Sequence, residues 1–307
     1  SGMVGSHLAD YIIKNSEWDI VGLIRWRSPL DNISHLLDDI NNKRRIKLVY
    51  GDLRDTISID KAIEETTPDY VFHLAAQSSV VISVEDPLLD FEHNLLQPVQ
   101  LIKTLLETDC KQFIFTSSGG TIFGEPEVIP TSEDDYAGEP ASPYGLAKKK
   151  LNELIEVMLQ NETMSYSILN LSNVYGPRQD PHGEAGVMSI FTGKLMNNET
   201  PTIYGDGKQT RDYVYVLDVV DALIKSSETD DNLFLNIGTG VETSVNELVS
   251  ILSQKISWDG EPEYAPKREG ELLRSVLNNE RAKSQIGREP KYTLDTGLDE
   301  LISWFSK

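Results

Sequence analysis

A chain of 307 residues with 39% hydrophobic and 25% charged residues has the composition of a globular protein, long enough for one large α/β unit or two lobes. Its formal charge of −21, from 49 acidic against 28 basic residues, argues against a broad nucleic-acid or anionic-membrane footprint; an anionic ligand would have to be met by local Arg or Lys. The single cysteine, Cys110, allows no intramolecular disulfide and fits a reducing cytoplasm, and no apolar stretch approaches the roughly 20 residues that span a bilayer.

Ser1-Gly2-Met3-Val4-Gly5-Ser6-His7-Leu8 leads into helical periodicity through Leu8, Tyr11 and Ile12. Gly2 and Gly5 have the spacing of the last two glycines of a turn entering a helix, where backbone approaches a pyrophosphate; they also fit a plain helix start. Residues 19–24 and 46–50 read as buried strands with a helix near 34–40 between them, and 58–65 as a capped helix. Strands follow at 70–74 and 112–116, separated by a helix-like segment at 87–107 in which Pro98 predicts a kink. A helix opens at Tyr144 and a further strand spans 166–171. This alternation predicts an α/β fold: a Rossmann-like, doubly wound parallel sheet with helices on both faces. Ligands of such sheets bind at the carboxyl ends of the strands, where this chain places Gly51-Asp52-Leu53, His73-Leu74-Ala75-Ala76-Gln77 and Thr116-Ser117-Ser118-Gly119-Gly120.

Beyond Asn173 the pattern is less regular, with helices near 187–196, 216–226 and 244–255. Residues 1–172 therefore read as a dinucleotide-binding unit. Residues 173–307 read mainly as a smaller α/β substrate-binding lobe, some of whose segments return to the first unit, with the cleft between the two. Cys110 reads as a small core residue, and His7, His35, His73, His93 and His182 are scattered without metal-ligand spacing, so no metal is expected.

Tyr144 and Lys148 stand four apart at the start of an amphipathic run through Leu151, Leu154, Ile155 and Met158. Residues at i and i+4 share a helix face, so the Lys148 ammonium can favour the ionised Tyr144 phenol, which then acts as a base near neutral pH. Alone, the pair also fits an ordinary helix start. Ser117 and Ser118 end a strand 26 positions earlier, and Gly119-Gly120 permit a tight turn beside a ligand. A hydroxyl placed there can share a proton path with Tyr144, and the combination tips the reading toward chemistry.

Taken together, Gly2-x-x-Gly5, Gly51-Asp52-Leu53, His73-Leu74-Ala75-Ala76-Gln77, Ser117-Ser118-Gly119-Gly120-Thr121-Ile122-Phe123-Gly124, Tyr144-x-x-x-Lys148 and Asn173-Val174-Tyr175-Gly176-Pro177-Arg178 resemble the extended short-chain dehydrogenase/reductase family of nucleotide-sugar enzymes. The second half is most similar to its UDP-glucose 4-epimerases, through Pro177 to Val187, Arg211-Asp212-Tyr213-Val214-Tyr215-Val216 and Arg268-Glu269-Gly270-Glu271-Leu272. The resemblance implies that Tyr144 is the base, that Lys148 lowers its pKa and holds the nicotinamide ribose, and that Ser118 supports the reacting hydroxyl. It implies NAD contacts from Gly2, Met3, Val4, Gly5, Arg25, Asp31, Asn32, Asp52, Leu53, Leu74, Ala75, Ala76, Ser78, Asn94, Thr116, Ser117, Tyr144, Lys148 and Leu171. Sugar-nucleotide contacts would come from Ser118, Asn173, Val187, Tyr204, Arg211, Arg268 and Glu271, with the two arginines clamping the diphosphate. Either arginine alone also reads as a surface ion pair. A homodimer through the Tyr144 helix and the 87–107 region is implied by resemblance only.

Three departures from the family pattern matter. The opening strand and first glycine are not in the chain, which reads as a fragment short of roughly one strand and its turn. About 20 residues past the glycine turn, where an acid is usual for the NAD ribose, stands Arg25 in Ile24-Arg25-Trp26-Arg27-Ser28; Arg25 and Arg27 can meet the 2′-phosphate of NADP, as this segment resembles GDP-mannose 4,6-dehydratases, and Asp31-Asn32 lies slightly later. Residues 119–123 carry no carboxylate of the kind 4,6-dehydratases use at C5, which favours epimerase over dehydratase. A keto-sugar reductase would use the same Ser, Tyr and Lys; a non-catalytic NAD(P) sensor would need the pocket but not the base. Ser275 falls where some epimerases of the group have a bulky aromatic, which points to a roomier pocket that also accepts N-acetylated UDP-hexosamines.

Overall fold

The computed structural model describes every residue except 43, 137, 182–185, 269, 270 and 307; His182, Glu269 and Gly270 of the quoted motifs lie outside the described residues. In chain order the elements are α1 (Met3–Asn15), β1 (Ile20–Ile24), a 3-10 turn (Asp31–Leu36) running into α2 (Leu37–Asn41), β2 (Ile46–Tyr50), α3 (Thr56–Thr66) and β3 (Tyr70–His73). Then come α4 (Val80–Glu85), α5 (Pro87–Phe91), a π-helical turn (Glu92–Leu96), α6 (Gln97–Leu105), β4 (Gln112–Ser118), α7 (Pro143–Leu159), β5 (Ser165–Leu171) and β6 (Asn173–Tyr175). The remainder comprises α8 (Val187–Met196), β7 (Thr202–Tyr204), β8 (Thr210–Tyr215), α9 (Val216–Ser226), β9 (Leu233–Ile237), β10 (Glu242–Ser244), α10 (Val245–Ile256), β11 (Glu263–Ala265), β12 (Arg274–Ser275), α11 (Glu280–Ile286) and α12 (Leu294–Phe305).

The predicted parallel strands form, but in two hydrogen-bonded sheets rather than one: β1 with β2, and β3-β4-β5-β9. Helix α1 packs against both. Its Leu8 and Ile12 join the core under β4, β5 and β9, while Ala9 and Ile13 cover Ile20, Ile46 and Leu48. Arg45 closes the far end of α1 by donating to the carbonyls of Ile13 at 3.0 Å, Ser16 at 2.7 Å and Trp18 at 2.6 Å. In the larger sheet the register pairs His73 with Phe115 and Ser118 with Leu171, which brings the polar strand ends to one edge.

The kink predicted at Pro98 takes a specific form. Pro98 sits in the first turn of α6, and the helix before it widens into the π-turn; the ring cannot donate a backbone bond and crowds the preceding turn. The short strands β6 to β8 and β10 to β12 escape the sequence pattern because each spans two to six residues. Most gather around β8, which pairs in parallel with β6 and β12 and antiparallel with β10. Strand β9 returns to the edge of the main sheet beside β5.

Candidate active site

Ser142 caps α7 by accepting from the Gly145 amide at 3.2 Å, and Pro143 occupies the first turn, where no amide bond is lost. The helix then buries Leu151, Ile155 and Leu159 against Phe113, Phe115 and Ile168 of β4 and β5. That packing carries Tyr144 (8% exposed) and Lys148 (2%) onto the same protected face. The Lys148 Nζ donates to the Thr116 carbonyl at 3.1 Å and lies 4.5 Å from the Phe115 ring centre and 6.0 Å from that of Tyr144. Burial pulls the Lys148 amine down from 10.5 to about 7, with Asp90 acting in the opposite direction. Behind the helix, Asn152, Asn170 and Asn236 form a buried chain of amide hydrogen bonds, 3.2 Å at each link, that fixes α7 against β5 and β9.

The turn after β4 brings the other candidates in. The Ser118 carbonyl accepts from Thr121 and Ile122, and Gly119 donates to Leu171 at 2.8 Å. A Cβ on Gly119 would collide with the Leu277 side chain and stand 3.0 Å from the Asn170 carbonyl; a Cβ on Gly145 would stand 2.8 Å from the Thr121 carbonyl. Gly120 approaches the Asn173 Oδ1 and the Ser275 hydroxyl, at 3.6 and 3.7 Å from where its Cβ would lie. Ser275 is in register with Arg211, and Asn173 with Tyr213, so β6, β8 and β12 bring these residues toward the end of β4. Asp212, fully buried, secures that corner by accepting from the Thr239, Gly240 and Leu277 amides. Arg211 pairs with Glu271 at 3.5 Å, and Arg268 lies 3.9 Å above the half-exposed Tyr204 ring. Val187 opens α8 behind its N-cap, Gly186.

The dinucleotide candidates line the strand ends and α1. The N-terminus of α1 has Gly2 as N-cap with no side-chain cap, no acid in its first turn, and nothing within 4 Å of a Cβ placed on Gly2. The amides of Met3, Val4 and Gly5 are thus suited to a pyrophosphate. Gly5 packs near Leu74 (3.7 Å), while Ala75, Ala76 and Ser78 are exposed after β3. Asn94 donates to the Gln77 carbonyl and to Asp90, both at 2.8 Å, so it fixes the loop after β3. The Thr116 hydroxyl donates to the His73 carbonyl at 3.3 Å, and the buried Ser117 hydroxyl and Asn94 Oδ1 have no hydrogen-bond partner among the described residues. Asp52, beside Leu53, accepts from Nε and Nη2 of Arg54 at 3.0 and 2.9 Å, which lowers its carboxyl to about 2. Arg25, Arg27 and Asp31 are exposed, and Asn32 donates to the Ser1 and Arg178 carbonyls. The residues fit a dinucleotide: an open helix N-terminus, a half-buried edge and a buried cation.

The sequence reading did not single out Asp90, whose carboxylate accepts from Gln77 and Asn94 and whose charge acts on Lys148. The available signal was Asp90 and Asn94 at i and i+4 within an apolar run. Cys110 is buried as expected, and burial raises its thiol to about 11, far from a nucleophile's range. Among the described residues no cluster of three His, Cys, Asp or Glu forms a metal site, and no helix is long and apolar enough to cross a membrane.

Residues 1–301 match the family described as GDP-mannose 4,6 dehydratase. The UDP-glucose 4-epimerase of Mycolicibacterium smegmatis is 37% identical over 99% of this chain and 96% of its own length. Among solved structures, UDP-glucose 4-epimerase of Thermotoga maritima with UDP-glucose superposes with a TM-score of 0.93 at 38% identity, covering 99% of this chain and 96% of that one. The Thermus thermophilus UDP-glucose 4-epimerase in complex with NAD does so at 0.88 and 33%, with the same coverages. The chain belongs to the NAD-dependent epimerase/dehydratase family, and its α/β architecture is that of those epimerases.

Proposed function

We propose that the chain is a nucleotide-sugar 4-epimerase that interconverts UDP-glucose and UDP-galactose with bound NAD. The observation that carries the reading is the shared buried face of Tyr144 and Lys148 beside a turn that meets Asn173 and Ser275. NAD, when bound, accepts and returns the C4 hydride of the sugar. Tyr144 takes the proton of the 4-hydroxyl and later gives it back, and Ser118 hydrogen-bonds that hydroxyl. Lys148 in its charged form favours the Tyr144 phenolate and holds the nicotinamide ribose. Met3, Val4 and Gly5 meet the pyrophosphate; Asp52, Leu53, Leu74, Ala75, Ala76, Ser78, Asn94, Thr116, Ser117 and Leu171 line the remaining cofactor path. Arg211 and Arg268 clamp the sugar-nucleotide diphosphate with Asn173, Val187, Tyr204 and Glu271 beside them. In this reading residues 1–172 carry the cofactor side and 173–307 mainly the substrate side.

Ser275, small and buried beside Gly120, supports acceptance of N-acetylated UDP-hexosamines; turnover of UDP-glucose with none of UDP-GlcNAc would sink that extension. The exposed Val81, Val84, Leu88, Leu96 and Val157 on α4, α5, the π-turn and α7 support a homodimer through these helices, and the lone buried Cys110 a cytoplasmic site of action. The family's dehydratase description favours a second reading, a 4,6-dehydratase, against which stands the lack of any carboxylate in residues 119–123.

The test is to denature the purified protein, identify the released nucleotide, and assay a panel of UDP-, GDP- and dTDP-sugars. NAD with UDP-hexose interconversion is expected; a 4-keto-6-deoxy product identifies a dehydratase, and net consumption of NAD(P)H a reductase. Tyr144→Phe should lower turnover by about 10³-fold with cofactor retained. Near-normal turnover in that variant overturns the mechanism.

A further inference from the structure

Asp90 on α5 is fully buried, at 0% exposure, a costly position for a carboxylate. Its Oδ1 accepts from Gln77 Nε2 at 2.7 Å and from Asn94 Nδ2 at 2.8 Å, whereas its Oδ2 has no hydrogen-bond partner among the described residues. Gln77 in turn holds the loop after β3: its Oε1 accepts from the Ser79 amide at 2.5 Å and its Nε2 donates to the Ser79 carbonyl at 2.9 Å. Two carboxamides thus converge on one oxygen of an acid that no structural ion pair neutralises among the described residues.

Helix α5 packs against α7, and the charges of Asp90 and Lys148 act on each other. The groups around Lys148 are Tyr144 on its own helix, the Phe115 ring and Thr116 carbonyl on β4, His73 on β3, and Asp90 on α5. Around Asp90 stand Gln77, Asn94, Lys148 and, from the π-turn, His93. His73 is buried and kept neutral, so it supplies no counter-charge. Burial pushes the Asp90 carboxyl above its ordinary value, and the bonds from Gln77 and Asn94 and the Lys148 charge act against that rise; as the anion, Asp90 favours the Lys148 cation, which burial opposes.

We propose that Asp90 is a positioning residue: its ionised carboxylate keeps Lys148 charged, and its bonds to Gln77 and Asn94 tie that charge to the loop that follows β3. The role rests on the reading of Tyr144 as base and Lys148 as its charged neighbour. Without the Asp90 charge, Lys148 loses its proton at a lower pH and ceases to favour the phenolate.

Asp90→Asn tests this with little change of shape, because Oδ2 makes no bond and Oδ1 remains an acceptor. Two readouts apply: titration of the Lys148 side chain by ¹⁵N NMR in the ligand-free protein, and the pH profile of kcat in the purified holoenzyme. The expected result is a Lys148 titration about one pH unit lower, with the alkaline limb of kcat displaced equally. Above that limb turnover then falls about tenfold, with Tm near that of the wild type. Asp90→Ser, smaller and equally neutral, is the second variant and should move both readouts in the same direction. A wild-type titration and pH profile in either neutral variant overturns the proposal. If Tyr144→Phe is inactive while these profiles are unchanged, only the Asp90 role falls; if Tyr144→Phe is active, the base reading falls with it.

Discussion

Strands β4, β5 and β9 are covered by helices on both faces, and Phe113, Ile114, Phe115, Ile168, Leu169 and Leu235 are all at 0% exposure. Strands β1 and β2 are built from similar residues, yet Val21, Leu23 and Tyr50 are 43%, 40% and 38% exposed, and Trp26 stacks on Tyr50 in solvent at 76%. The first region holds Tyr144, Lys148 and Ser118; the second leads to Arg25, Arg27 and Asp31. In the dry region most polar groups are held by partners within the chain, such as the Asn152-Asn170-Asn236 series and the bonds of Gln77 and Asn94 to Asp90, so that geometry is largely fixed before any ligand arrives. In the wet region water satisfies the same groups, charges are screened, and side chains remain free to adapt.

The sharpest probe of the dry region is Lys148→Met. On the roles proposed above, turnover should fall about 10³-fold, since the cation assigned to favour the phenolate is gone. The ligand-free protein should become more stable by on the order of 2 kcal/mol at pH 7 in thermal unfolding, because an unfavourably buried amine is replaced by a thioether. The sign follows from the depressed amine: its cost is present in full below about pH 7 and fades as pH rises toward the ordinary value of 10.5, so the two melting curves should converge at alkaline pH. A stability difference that widens with pH would contradict the description of the pocket.

Paired core truncations come next in size. Ile114→Ala in β4 should cost about 3 kcal/mol, and Leu48→Ala in the half-buried β2 about 1 kcal/mol, in denaturant unfolding. Equal costs would mean that the two sheets are equally well packed.

His73 gives a smaller, pH-dependent effect. Its ring lies 5.8 and 5.9 Å from those of Phe113 and Phe115, its Nε2 has no hydrogen-bond partner among the described residues, and burial with the nearby Lys148 charge holds its folded value near 3. The folded state therefore refuses a proton that the unfolded chain takes. The associated stability is complete above the ordinary 6.5 and is lost as pH falls toward 3. His73→Leu should remove about 2 kcal/mol of the wild-type loss between pH 7 and pH 5. An identical acid profile in that variant would show that His73 is accessible to protons.

The same contrast decides what could be read in advance. The β/α alternation of the first 171 residues was legible because each strand is largely apolar and most helices carry a 3.6-residue stripe, but the expectation that 19–24 and 46–50 are buried strands was too strong, since Val21, Leu23 and Tyr50 are exposed. Tyr144 and Lys148 were legible because two polar residues on one apolar face need a reason. Asp90 was not singled out, because its partners Gln77 and Lys148 come from a loop and a distant helix, and only folding makes the burial visible. The division of the parallel strands into two sheets and the gathering of short strands about β8 depend on long-range pairing that carries no local period.

Arg25 tests the wet region, where the smallest effect is expected. Its guanidinium is exposed after β1, and no hydrogen bond or ion pair to it is present among the described residues. An exposed charge of this kind gains at most about 1 kcal/mol from a phosphate in physiological salt. Arg25→Ala should therefore change NAD affinity less than threefold by calorimetry. It should weaken NADP by up to about fivefold, because only NADP places a further dianion near the adenosine end. A tenfold loss of NAD affinity would show that the β1 turn meets the cofactor closely, and the proposed division between a preformed reacting end and an adaptable adenosine end would then fail.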